Sequence, residues 1–153
     1  MTKRMTNLLV LISLLLASFS LAACGGGSVA AVEELALTVD GAEEAVYSVS
    51  DLQGMMEAES DFEGTTYVGV PLPALLEAAG VDPVQVETVK AVAADGYSMS
   101  YQAEHFTRED VLVAYTAAGG ELAREDGTFR MVLPGEEGKL NARMLAELQV
   151  VTK

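Results

Sequence analysis

The chain has one cysteine, one histidine and no tryptophan in 153 residues. Without a second cysteine no disulfide forms, and a lone thiol cannot build a thiolate metal cluster or a covalent haem attachment. A single histidine excludes a histidine-based metal cluster and leaves one imidazole at most for acid–base work. Positive charge is scarce as well: nine Lys and Arg stand against 23 Asp and Glu, for a formal net charge of −14. Such a surface repels phosphate backbones and anionic headgroups, which argues against nucleic-acid binding and against lying flat on a membrane. No repeat period is present, and low-complexity sequence is confined to GGGSVAA at residues 25–31.

The one cysteine closes the longest apolar run. Lys3 and Arg4 precede LLVLISLLLASFSLAA, which ends in small residues at Cys24. A short basic stretch, a short apolar stretch and small residues at a cut site are what export and cleavage need, and Leu21-Ala22-Ala23-Cys24 reads as a lipoprotein box. The expectation is a signal peptide over residues 1–23, a lipidated flexible tether over 24–33 and one folded domain over 34–153. Acyl chains on Cys24 would place the domain outside the cytoplasm, lipid-anchored to the cell membrane, or to the outer membrane where the host has two. With Cys24 so used, the exported domain has no disulfide and rests on its hydrophobic core.

The rest of the sequence reads as short strands broken by turns. LALTV, Leu35–Val39, alternates and stops at Asp40-Gly41, with Ala45–Val49 as its partner. Ser50 is expected to cap a short helix running through Met55-Met56. The interval Glu57–Val70 is polar and then β-rich around Thr65–Val68. Pro71 opens PLPALLEAAG, a helix whose Leu72, Leu75, Leu76 and Ala79 share a face and which Gly80 ends. VETVKAVAADGYSMSY carries Asp95-Gly96, a strong hairpin signal. EHFTRED is a turn or one helical turn, and VLVAYT, TFRMVLPG and MLAELQVVTK read as strands. These elements imply an α+β domain: compact, β-rich, a mixed sheet with two or three short helices.

Few side chains stand out as chemical groups. His105, among Glu104, Arg108, Glu109 and Asp110, reads as a solvated turn histidine. Met55, Met56 and Met99 read as core filling rather than soft-metal ligands. Asp61 and Glu63 lack the alternating oxygens and glycine of a calcium loop and read as surface charge.

The order of four segments carries more information than any of them alone. YVGVPLPALLEAAGV, then VKAVAADGYSMSY, then DVLVAYTAAGGEL, then GTFRMVLPGEEGKLNARMLAELQVV resembles the oxidoreductase molybdopterin-binding domain of the sulfite oxidase family, over roughly Leu35 to Val151. The resemblance implies that family's fold. It also implies a molybdenum held by a cysteine thiolate from a C-x-G-N-type segment ahead of the G-V-P-L step. Here that interval, EAESDFEGTTYVG at residues 57–69, has no cysteine and no room for the longer insert. No carboxylate replaces a soft thiolate without changing the coordination chemistry.

On the same resemblance, Gly138, Asn141 and Arg143 fall where the family places groups against the pterin and its phosphate, with Met144 where an aromatic is common. Arg143 could grip an anion with paired planar donors, or pair at the surface with Glu136 or Glu137. If the DGYS hairpin and the AY strand lie side by side, Asp95, Tyr97, Tyr101 and Tyr115 line one pocket rim; otherwise the tyrosines pack on strands. The leading expectation is a non-catalytic ligand-binding or redox accessory module. Its partner would be a small molecule or a redox protein, and no cofactor is expected although molybdopterin is admitted by the resemblance. The alternatives are an oxidoreductase subunit still holding a pterin, and a structural envelope lipoprotein.

Overall fold

The structure is a computed structural model that describes residues 31–153. The expected signal peptide at 1–23, Cys24 and all but the last three residues of the tether lie outside the described residues.

Two sheets make the domain. Strands β1 (Glu34–Val39), β2 (Ala42–Ser48), β5 (Val86–Ala93), β6 (Ser98–Tyr101) and β9 (Leu145–Thr152) form one, in the order β2-β1-β9-β5-β6. Strands β3 (Ala58–Phe62), β4 (Thr65–Pro71), β7 (Leu112–Ala117) and β8 (Arg130–Val132) form the other, in chain order. Only β1 and β9 run parallel, so the five-stranded sheet is mixed, as the sequence implies. Three short helices, α1 (Val49–Gln53), α2 (Leu72–Ala78) and α3 (Ala103–Phe106), connect the strands.

Alternation along the strands explains which face is covered. Leu35 and Leu37 of β1, Val89 and Ala91 of β5 and Leu148 and Val150 of β9 are buried on one face of the larger sheet. They meet Leu72, Leu75 and Leu76 of α2 and Val113 and Met131 of the smaller sheet in one continuous core. The opposite face of the smaller sheet carries its own cluster, Phe62, Tyr67, Leu112, Ala114 and Val132. Between β4 and β7 the register slips at Val68/Gly69, and a Cβ on Gly69 would lie 2.6 Å from the Ala114 Cα. Only glycine allows the two backbones that approach.

The turns are where sequence and structure compare most directly. Asp40 and Gly41 both have positive φ, 49° and 84°, the geometry of the two-residue hairpin turn that Asp-Gly favours. The first helix differs from expectation. Its cap is Ser48, not Ser50: the Ser48 hydroxyl accepts the Asp51 N–H at 3.3 Å while the Asp51 carboxylate accepts the Ser48 N–H at 2.8 Å. Two backbone donors are satisfied reciprocally at Ser48-x-x-Asp51, which outweighs a lone serine two residues on. The helix then ends at Gln53 before Gly54, so Met55 and Met56 are not helical; Met55 packs partly on the core and Met56 is exposed.

Candidate functional site: two clefts that share Arg143

The β5–β6 turn and the segment Gly138–Arg143 face one another across a cavity of about 320 Å³, lined by Asp95, Tyr97, Gly138, Lys139, Asn141, Ala142 and Arg143. Asp95 shapes its side of the turn by accepting the Tyr97 N–H at 2.9 Å. Tyr97 crosses the gap and donates its hydroxyl to the Lys139 carbonyl at 2.6 Å, joining the hairpin to the C-terminal segment. Lys139 pairs with Glu137 at 2.6 Å, a contact that raises the lysine amine above its ordinary range and lowers the glutamate carboxyl. Gly138 opens the short 3₁₀ turn Gly138–Leu140 that carries this lysine.

Arg143 has neither of the partners that its sequence neighbourhood implies. Its Nε lies 3.5 Å from Oδ1 of Asp126, and more than half of its side chain is exposed. Glu136 is taken instead by Arg108, whose guanidinium also holds both oxygens of Asp110 and the Pro134 carbonyl. Glu137 is taken by Lys139. The loop turns Arg143 away from both glutamates, so sequence proximity misleads here.

A second cleft, of about 250 Å³, opens on the other side of Arg143, with Phe62, Glu63, Tyr67, Glu125, Asp126 and Arg130 among its lining residues. At its floor Arg130 is 2% exposed. Nη1 of Arg130 donates to Asp126 Oδ1 at 2.7 Å and to the Tyr67 hydroxyl at 2.8 Å, and the guanidinium lies 4.4 Å from the centre of the Tyr67 ring. A buried cation persists when a carboxylate and an aromatic face replace its lost water, and both are supplied here. Asp126 ends the 3₁₀ turn Arg124–Asp126, and Gly127 follows with φ of 76°, where an added Cβ would lie 2.9 Å from the Met144 Cα. That turn folds Asp126 back over Arg130.

Arg130, Asp126 and Tyr67 were not singled out from the sequence. The legible signal was a lone arginine within the otherwise apolar run Phe129–Leu133; being on the same face of β8 as Val132 sends it into the second core cluster, where a charge needs a partner.

The other sequence candidates separate. Tyr101 is fully buried, donates to the Leu140 carbonyl at 2.7 Å, and is pushed above the ordinary tyrosine range chiefly by burial; it packs the strand and lines no rim. Tyr115 belongs to the other sheet, because β7 pairs with β4 and β8 and not with β6. It faces a separate cavity of about 340 Å³ and donates to Glu57 Oε2 at 2.5 Å. Its phenol is pushed up to about 12, first by burial and then by the Glu57 carboxylate. Only Asp95 and Tyr97 of that group share a cavity with Gly138, Asn141 and Arg143. Asn141, placed against the pterin by the resemblance, is 3% exposed, and its side-chain amide is bonded to the main chain at Leu133 and Glu137. His105 is half-buried rather than solvated: its ring lies edge-on to Tyr101 and its Nδ1 is buried without a partner among the described residues.

The donor set defines what the clefts fit. The interval 57–69 is almost wholly a hairpin, β3 and β4 joined by Glu63-Gly64 with φ of 50° and 81°, and it has no loop on which to mount a ligand. Among the described residues there is no cysteine, and no group of three His, Cys, Asp or Glu side chains suited to a metal ion. A molybdenum held by a protein thiolate does not fit this donor set. The organic part of such a cofactor, a flat heterocycle bearing a phosphate, does fit: Tyr97 offers a partly exposed ring, and Lys139 and Arg143 offer cations.

No curated protein matches the chain. The model of the oxidoreductase molybdopterin-binding domain family matches residues 32–153. Among solved structures, the chain is similar to the sulfane dehydrogenase SoxCD from Paracoccus pantotrophus, at 26% identity and a TM-score of 0.65, covering 78% of this chain. It spans 38% of the length of that relative.

Proposed function

The chain belongs to the family of oxidoreductase molybdopterin-binding domains, and from that premise we propose that it is a non-catalytic accessory module that binds a phosphorylated pterin or a like anionic heterocycle. The observation that carries this reading is the β3–β4 hairpin: the interval from which the resemblance expects the thiolate ligand is closed by a two-residue turn. The cations beyond it, Lys139 and Arg143, remain. A site that keeps the anion's partners and lacks the metal's can hold the organic group without the redox centre. The apolar leader and Leu21-Ala22-Ala23-Cys24 support a lipid tether that keeps the module at an extracytoplasmic membrane face, where it would meet a small molecule or a redox partner.

The test is calorimetric titration with a 6-substituted pterin carrying a terminal phosphate. Arg143→Ala should weaken binding by about tenfold, the usual effect of losing a charge-assisted hydrogen bond, and Arg143→Lys should recover only part of that. Equal affinity in all three proteins would refute the site. The second reading, an oxidoreductase subunit, is favoured by the same two cations, since a pterin bearing a metal uses them equally. Protein purified from its own host with one molybdenum per chain and visible absorption would establish that reading and overturn the first.

A further inference from the structure

The second cleft contains its own anion. One oxygen of Asp126 serves two guanidiniums, lying 2.7 Å from Nη1 of Arg130 and 3.5 Å from Nε of Arg143. Nη1 of Arg130 is occupied by Asp126 and Tyr67, and Nε reaches the Met131 carbonyl at 3.4 Å. Among the described residues Nη2 has no hydrogen-bond partner. It is not sealed either, because the buried side-chain atom without a partner is His105 Nδ1, and Arg130 lines the cleft. A buried guanidinium therefore presents an unused donor pair to a polar cleft whose other wall is the exposed Arg143.

We propose that Asp126 is a built-in competitor for this anion site, and that a small phosphate-bearing ligand binds by exchange with it. The ligand's oxygens would take the free Nη2 of Arg130 and the guanidinium of Arg143, while the Asp126 carboxylate gives up its contact with Arg143. The exchange is a side-chain rotation and not an opening of the loop: the Asp126 backbone is pinned at both ends, its N–H donating to Ala123 at 2.9 Å and its carbonyl accepting from Met144 at 2.7 Å. The proposal rests on the reading that Arg143, the residue common to both clefts, takes an anion, and adds that in the second cleft the chain holds that affinity down with a carboxylate of its own. Like charges in one cleft oppose each other strongly when one of them is buried, and Asp126 is 5% exposed. Glu125, exposed on the same cleft, supplies the control of equal charge without the bridge.

The experiment titrates the full chain with inorganic phosphate at fixed ionic strength. Asp126→Asn should bind phosphate about tenfold more tightly than wild type, the scale of one charge-assisted contact, while Glu125→Gln should change affinity by about twofold at most, as for a screened surface charge. Asp126→Asn binding no more tightly than Glu125→Gln would overturn the proposal. Should Asp126→Asn fail to fold in chloride, it is refolded in phosphate of the same ionic strength. A cooperative thermal transition in phosphate alone supports the exchange, because an external anion has replaced the carboxylate; no transition in either salt overturns it. Failure here leaves the pterin titration of wild type against Arg143→Ala untouched, so the two readings fall separately.

Discussion

Asn141 Oδ1 accepts the backbone N–H of Leu133 at 2.6 Å, and Asn141 Nδ2 lies 3.4 Å from the carbonyl of the same residue. One side chain thus completes the main chain just past the end of β8, as a short piece of strand would. Asn141→Ala would leave a buried N–H unsatisfied, at a cost of about 2 kcal/mol. Denaturant titration should show a lower midpoint with an unchanged slope, and pterin-phosphate affinity of the folded protein should stay the same. A large loss of affinity with unchanged stability would return Asn141 to the ligand.

Gly69→Ala tests the close approach of β4 and β7. The added methyl would meet the Val113 carbonyl and the Ala114 Cα, both backbone, which cannot rotate away. A cost of about 3 kcal/mol or more is expected, at the upper end of overpacking. Gly54→Ala is the control, since Gly54 has an ordinary helical conformation and its nearest atom would be 3.3 Å off. Thermal unfolding of the two variants should differ sharply; similar melting temperatures would mean that the strands separate freely there.

Alkaline stability follows from the buried phenols. Tyr115 rises from an ordinary 10.0 to about 12, by burial first and then by its hydrogen bond to Glu57, and Tyr101 and Tyr47 are raised in the same direction by burial. A group that holds its proton more tightly when folded contributes fully below its unfolded pKa and loses that contribution as pH rises toward its folded one. Stability should therefore hold to about pH 10 and fall between there and about 12. Tyr115→Phe should flatten part of that fall. Denaturation midpoints measured across this range provide the check, and a midpoint rising with pH would contradict the assignment.

The proposed tether is tested at Cys24. Lipid transfer needs the thiol, so Cys24→Ser should accumulate as an uncleaved precursor or appear as a soluble form. Processing to mature length with wild-type partitioning into detergent would exclude lipid attachment there.

Much of this fold is legible from local chemistry. Asp40-Gly41 and Asp95-Gly96 announce hairpins because Asp40, Gly41 and Gly96 take left-handed backbone angles that few residues tolerate and Asp95 turns the chain through its side chain, and the Leu35/Leu37 alternation marks a covered face. What distant packing decides is less legible. The cap at Ser48 depends on a reciprocal bond with Asp51 that a scan for single capping residues overlooks. Tyr115 and Tyr101 look equivalent along the chain, yet strand pairing sends them to different sheets. The Asp126–Arg130 pair has helical spacing but no helix, and it forms only because Gly127 bends the chain back. Resemblance places Arg143 near a ligand; the structure adds the carboxylate that already holds it.

The parallel pairing of β1 with β9 has a consequence for the order of events in a cell. Ala36 lies opposite Glu147, so the first strand of the domain finds its inner neighbour in the last, and β9 also carries β5 on its other edge. A growing chain that has not yet reached β9 lacks the strand that joins the two halves of its larger sheet. Pairings so far apart in sequence are slow to form, because a long loop must close before any contact rewards it. Until β9 is present the domain has no route to its native sheet, so a chain shortened before Leu145 keeps β1-β2 and β5-β6 as two unjoined hairpins.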